Sequence, residues 1–182
     1  MTVIGTVGLP GSGKGEAAAV AESLGVPVVT MGDVIREECR DRGLDPATHH
    51  GEVAKKLREE EGEGAIAERS LPIVRNYLDD HDVVLVDGLR SDAEVERFQE
   101  AFGDDFVLVS IEAPYELRKE RITERGRDKG ELEGGESLRA RDARERSFGM
   151  EEAMEMADVT IENVGSLEEF QERIEEIVEE HR

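Results

Sequence analysis

The stretch Gly8-Leu9-Pro10-Gly11-Ser12-Gly13-Lys14-Gly15 reads G-x-x-x-x-G-K, a combination of residue types that can bind a nucleoside triphosphate. Its glycines let successive backbone N–H groups turn inward as a nest for an anion, and a helix that follows presents its positive end to the same anion. Lys14 adds a charge that can reach the β and γ phosphates of ATP. The string alone is also what a plain glycine turn would look like, so its surroundings matter. The apolar run Thr2 to Val7 precedes it and the helix-forming Glu16-Ala17-Ala18-Ala19-Val20-Ala21 follows, which gives strand, glycine-rich turn and helix. One feature departs from the common form: a Ser or Thr usually follows the lysine and sets its hydroxyl on Mg2+, but Gly15 and then Glu16 stand there.

Three further groups carry chemistry. Asp82-Val83-Val84-Leu85-Val86-Asp87 is a buried-strand pattern that ends in a carboxylate. At the carboxyl end of a parallel strand, Asp87 stands where ligands bind in open α/β sheets, and its role there would be to order magnesium water beside the triphosphate. The plainer alternative is that Asp87 caps a turn. The second group follows Val26-Pro27-Val28-Val29, where Asp33 falls in the first turn of a helix and suits its dipole, whereas Arg36 opposes it unless an anion lies nearby. The third is a concentration of basic residues between 118 and 146. Arg118, Arg121 and Arg125 share a helix face at i, i+3 and i+7, Arg127 extends them, and Arg139, Arg141, Arg144 and Arg146 lie on a returning helix. Like charges stacked this way repel by a few tenths of a kcal/mol per pair, which a bridging polyphosphate would reverse. The expectation is a lid over about 126–137 that closes on ATP; the alternative is a solvated salt-bridge face.

These groups need elements to position them. After the first helix, which should stop near Gly25, strands are expected at 26–29, 82–87, 106–111 and 157–163, with helices between them. Ser91 to Glu94 and Ser166 to Glu169 are S-x-x-E capping boxes, and Pro114 opens a helix. Residues 43–64 read as a small mobile polar insertion with a charged helix around Glu52 to Glu61. His49 and His50 lack the i, i+4 spacing of a metal pair and read as surface residues. Pro72 should kink or delay a helix over 65–80. Alternating strands and helices predict a parallel sheet with helices on both faces, in one domain over residues 1–182.

The loop string G-x-P-G-x-G-K-G resembles that of adenylate kinases and related nucleoside monophosphate kinases, in which the metal is held mostly through water and a carboxylate further along. Gly32-Asp33-x-x-Arg36 is similar to the string whose arginine contacts the monophosphate acceptor in that family. Asp87-Gly88-Leu89-Arg90 resembles its Asp-Gly-Phe-Pro-Arg, without the proline and with Arg90 one place early. Ala157-Asp158-x-x-Ile161-x-Asn163 looks more like dephospho-coenzyme A kinases. With Arg141-Asp142-x-Arg144-Glu145, the set is most similar to an archaeal group described as adenylate-kinase-related or dephospho-coenzyme A kinase-related. The resemblance implies a P-loop αβα sandwich with strand order 2-3-1-4-5, and a kinase using ATP and Mg2+ on a nucleotide-like acceptor. It implies that Lys14 and the loop hold ATP, that Asp87 helps order Mg2+, and that Asp33, Arg36 and Arg90 face the acceptor. Arg121, Arg125, Arg127 and Arg141 would then stabilise transferring charge. The alternative is a nucleotide-binding switch or regulatory ATPase with no small-molecule acceptor.

Composition bounds the partners. A formal charge of −22 argues against nucleic-acid binding, which requires clustered basic surface. Cys39 is alone, so no internal disulfide framework forms, and no apolar run approaches the roughly 20 residues needed to cross a bilayer. The expectation is a cytoplasmic protein without membrane contact. So acidic a surface, with five lysines among its 23 basic residues, suits a protein that works in molar salt, where screening relieves its self-repulsion. The melting temperature should therefore rise by several degrees between low salt and molar KCl, as followed by circular dichroism; a flat profile would refute this.

Overall fold

Strict alternation of strand and helix leaves each strand to pair in parallel with a neighbour reached by a crossover. In the computed structural model, which describes residues 1–129 and 137–182 and all of their side chains except those of 127–129, this is what the chain does. The elements are β1 (Thr2–Val7), α1 (Lys14–Ser23), β2 (Val28–Thr30), α2 (Met31–Asp41), α3 (Pro46–Glu61), α4 (Ala65–Leu78) and β3 (Val83–Asp87). They continue with α5 (Asp92–Phe102), β4 (Phe106–Glu112), α6 (Tyr115–Lys129), α7 (Leu138–Phe148), α8 (Met150–Glu155), β5 (Val159–Glu162) and α9 (Leu167–Glu180). The five strands are parallel in the order β2-β3-β1-β4-β5, as expected. The expected lid at about 126–137 falls largely outside the described residues.

Period-two alternation divides the apolar residues between two cores. Val3 and Val7 of β1, Val84 and Val86 of β3, and Leu108 of β4 face a core completed by α2, α3, α4, α5 and α8. Ile4, Leu85, Val109 and Ile161 face the other core, closed by Ala17 and Ala21 of α1 and by Phe170, Ile174 and Ile177 of α9. Gly5 leaves room on the first face, since a Cβ there would come within 2.8 Å of Leu89 and 2.9 Å of Phe106.

Three elements differ from the sequence reading. Helix α3 begins at Pro46, where Asp45 caps it through the Ala47 N–H at 3.0 Å, and runs through Gly51. Its Val53, Ala54 and Leu57 are buried, so the polar stretch is a packed helix of the first core. Helix α4 starts at Ala65 and continues across Pro72, so the helix is not delayed there, and its apolar face is held by Ile66, Leu71 and Val74. At the start of α5 the Ser91 hydroxyl accepts from Glu94 N–H at 3.2 Å, but the Glu94 carboxylate accepts from Arg90 N–H at 2.7 Å. That half-formed box holds the residue after Leu89 in place. Among the described residues, no helix is long and apolar enough to cross a membrane.

Arg118 of α6 and Asp142 of α7 form a bidentate pair, with both contacts at 2.8 Å and each side chain 3% exposed. Removing one partner would strand the other charge in the interior, which costs about 3–5 kcal/mol. Asp142→Ala should lower the unfolding free energy by about that much in denaturant titration at molar KCl, and the apolar double replacement Arg118→Met/Asp142→Leu should recover only part of it, because Pro10 O and Ala113 O then lose the donor that Arg118 supplies.

Candidate functional site

The phosphate loop leaves the carboxyl end of β1 and enters α1 at Lys14. Gly8, Gly11 and Gly13 all have positive φ, and at Gly13 (φ 122°) a Cβ would lie 2.6 Å from Asn163 Nδ2. That position requires glycine for both conformation and space. Side chains, two of them from elsewhere in the fold and one the loop's own lysine, take up its outward carbonyls. Arg118 donates to Pro10 O at 3.0 Å, Asn163 Nδ2 to Ser12 O at 2.8 Å, and Lys14 Nζ to Gly8 O at 2.5 Å and Leu9 O at 3.2 Å. Gly15 differs from the others: it has open space around a Cβ and no positive φ.

A cleft of about 990 Å³ opens beside the loop. Its floor carries Pro10, Gly11, Gly13, Lys14 and Gly15. Asp87 projects from the end of β3, one oxygen fixed by the Thr6 hydroxyl at 3.0 Å. Arg36 of α2, His50 of α3 and Arg90 line one wall; Arg125 of α6 with Arg141, Arg144 and Glu145 of α7 line the other. Burial pushes the Lys14 ammonium below the ordinary lysine range, against the opposing pull of Glu145 and Asp87, while Arg90 and Arg141 add to the depression. A polyanion entering this cleft would meet cations on every side.

Most of the expected site residues meet here. Lys14, Asp87, Arg36, Arg90, Arg125 and Arg141 share the cleft. Asp33 does not line it: 68% exposed, it accepts from Arg36 Nε at 2.9 Å and Nη2 at 2.5 Å, and so aims that guanidinium. Arg121 borders a neighbouring hollow of about 490 Å³ with Gly13, Gly15, Glu16, Arg125, Asn163 and Phe170. It donates to Asn163 O at 2.7 Å, and its other terminal nitrogen is buried with no partner among the described residues. The side chain of Arg127 lies outside the described residues. Leu9 and Ser12 turn to the far side of the loop, toward Ile111 and Pro114.

Two cleft residues escaped the sequence reading. His50 was expected at the surface; its Nε2 pairs with Gly32 O at 3.3 Å, and burial lowers its basicity. Only the fold of α3 onto α2 brings it there. Glu145, 5% exposed, has an oxygen without a hydrogen-bond partner among the described residues. Its one signal was that it is one of two acids in an arginine-rich helix. Among the described residues no three His, Cys, Asp or Glu side chains form a ready-made metal cage.

Comparison with known proteins agrees with this geometry. Residues 7–139 match the family described as an AAA domain. The UPF0200 protein of Halobacterium salinarum is 59% identical over 178 residues, covering 98% of this chain and 93% of that relative. Shikimate kinase from Acinetobacter baumannii, solved in complex with shikimate, superposes with a TM-score of 0.58 at 21% identity, over 100% of this chain and 95% of the other. A gluconokinase from Sinorhizobium meliloti gives a TM-score of 0.57 at 17% identity, over 98% and 94%. The two structures share the P-loop kinase fold, and the chain belongs to the archaeal UPF0200 family.

Proposed function

We propose that this protein is an ATP-dependent small-molecule kinase, acting as one domain over residues 1–182, that moves the γ-phosphoryl group of ATP to a nucleotide-like acceptor. Nucleoside monophosphates and dephospho-coenzyme A-like molecules are the acceptors in view. The observation that carries the reading is the one cleft shared by the phosphate loop, Asp87, Arg36, Arg90, Arg125 of α6 and Arg141 and Arg144 of α7. The small-molecule kinases with the same fold add support.

In this reading the loop amides from Gly8 to Gly15 and Lys14 hold the triphosphate. The orphaned nitrogen of Arg121 and the apolar edge of Phe170 fit the donor side. Arg36, aimed by Asp33, and Arg90, set by Glu94, anchor an anionic acceptor on the opposite wall. Asp87 fits a magnesium ion carried in with ATP, which it would hold through water; the ion would neutralise charge on the β and γ phosphates. The acceptor oxygen forms a bond to the γ phosphorus as the bond to the β–γ bridging oxygen breaks, and the electron pair leaves on ADP. Arg125 and Arg141, with Arg121 and Arg127, stabilise the charge spread over the transferring group. Such chemistry asks for positioning and electrostatics more than for covalent catalysis.

ADP production in molar salt, with and without a panel of nucleoside monophosphates and dephospho-coenzyme A, tests the assignment. Strong stimulation by one acceptor together with its phosphorylated product is expected; acceptor-independent turnover would instead favour a regulatory ATPase. Lys14→Ala should cut transfer by about 10²–10³-fold or more, as loss of one transition-state donor does. Near-normal activity in that variant would sink the scheme. Arg36→Ala should raise the acceptor KM about tenfold or more and leave ATP affinity unchanged, because a charged hydrogen bond is worth about 1.5–3 kcal/mol.

A further inference from the structure

The loop lacks the hydroxyl that usually meets magnesium, and the cause is not steric. A side chain at Gly15 would point into open space from an ordinary helical backbone. Glu16 does not replace it, since Gln171 Nε2 donates to its carboxylate at 2.7 Å. Asp33 is turned onto Arg36 away from the cleft. Among the described residues, the carboxylates left on the cleft wall are Asp87 and Glu145, one at the end of β3 and the other on α7.

Glu145 is the unusual one of the two. A buried acceptor without a partner costs about 1–3 kcal/mol, and more when charged, so a fold retains it where a ligand supplies the missing partner. Glu145 is the carboxylate that acts most strongly on Lys14, ahead of Asp87. Yet Lys14 Nζ spends its hydrogen bonds on Gly8 O and Leu9 O. The position of Glu145 is also fixed against the loop. Asp142 lies one helical turn earlier, and its partner Arg118 donates to Pro10 O. Helix α7 is thus tied to the phosphate loop three residues before Glu145.

We infer that Glu145 supplies the second carboxylate of the magnesium site, acting with Asp87, through water, on the metal of bound MgATP in place of the absent loop hydroxyl. Magnesium is commonly held by one or two carboxylates, several waters and substrate phosphate oxygens, which is the ligand set these two walls and a triphosphate would furnish. The inference rests on the ATP-binding reading above but is independent of the acceptor.

The test is calorimetric titration of the full chain with ATP in molar KCl, with Mg2+ and with EDTA. In the unsubstituted protein Mg2+ should tighten ATP binding. Glu145→Gln should weaken binding in Mg2+ by about tenfold or more, the usual effect of losing an outer-sphere metal partner. It should leave the EDTA affinity equal or tighter, since a carboxylate facing phosphate is removed. Glu145→Asp, which keeps the charge but shortens the reach, should lose part of the Mg2+ gain and serves if the glutamine variant fails to fold. An undiminished Mg2+ gain in either variant overturns the inference and leaves the kinase reading standing. Failure of the unsubstituted protein to bind ATP in either medium overturns both.

Discussion

A loop that turns its N–H groups inward to hold phosphate must turn carbonyls outward, and a buried carbonyl needs a donor. In this protein the loop satisfies only Gly8 O and Leu9 O from its own residues, and the other two carbonyls draw donors from distant elements. Pro10 O takes Arg118, Ser12 O takes Asn163, and Gly8 O and Leu9 O take Lys14. Each donor commits an element. Asn163 closes β5 against the loop, and its own N–H bonds Glu112 O at 2.8 Å. Arg118 commits α6, and because a buried guanidinium needs a counter-charge it also commits α7 through Asp142. The arginines and the carboxylate of α7 reach the cleft as a consequence of satisfying a loop carbonyl.

The charge distribution follows a similar logic at longer range. A chain of formal charge −22 repels ATP unless cations are gathered where the phosphates go. Lys14, Arg36, Arg90, Arg125 and Arg141 are gathered there. In molar salt the Debye length shrinks to about 3 Å, so attraction at a distance disappears and only groups in near contact count. A cleft with cations on facing walls keeps its hold under that condition, whereas a diffuse basic patch would not.

The loop, the sheet and Asp87 were legible in the sequence because each is local: a spacing, an apolar run and a residue at its end. Even the strand order followed from the resemblance those local strings carried. What was not legible depends on packing. The stretch 43–64 looked like a polar insertion because its three buried residues, Val53, Ala54 and Leu57, are few among many charges, and their value appears only when α2 and α4 are set against them. His50 reached the cleft by the same packing. The arginine face of α6 was read as one surface, but helix geometry gives no information on what lies opposite. Arg118 meets Asp142 in the interior, Arg121 meets Asn163 O, and Arg125 meets the cleft.

The same condition of high salt separates the contacts that hold the site from those that decorate it. The side of the cleft built by α2, α3 and α4 is laced by ion pairs such as Arg42 with Glu38 and Glu60, and Arg69 with Glu38 and Glu61. Pairs so near solvent are worth about 0–1 kcal/mol in dilute buffer, and screening erodes that. Burial of Val34, Ile35 and Cys39 of α2 against Val53 and Leu57 of α3 is not screened. The wall that carries Arg36 and His50 is therefore held by its few apolar residues, and the wall of α6 and α7 by a buried ion pair and by loop hydrogen bonds that salt does not reach. In an acidic protein the interactions that position the site are the ones its composition makes scarce.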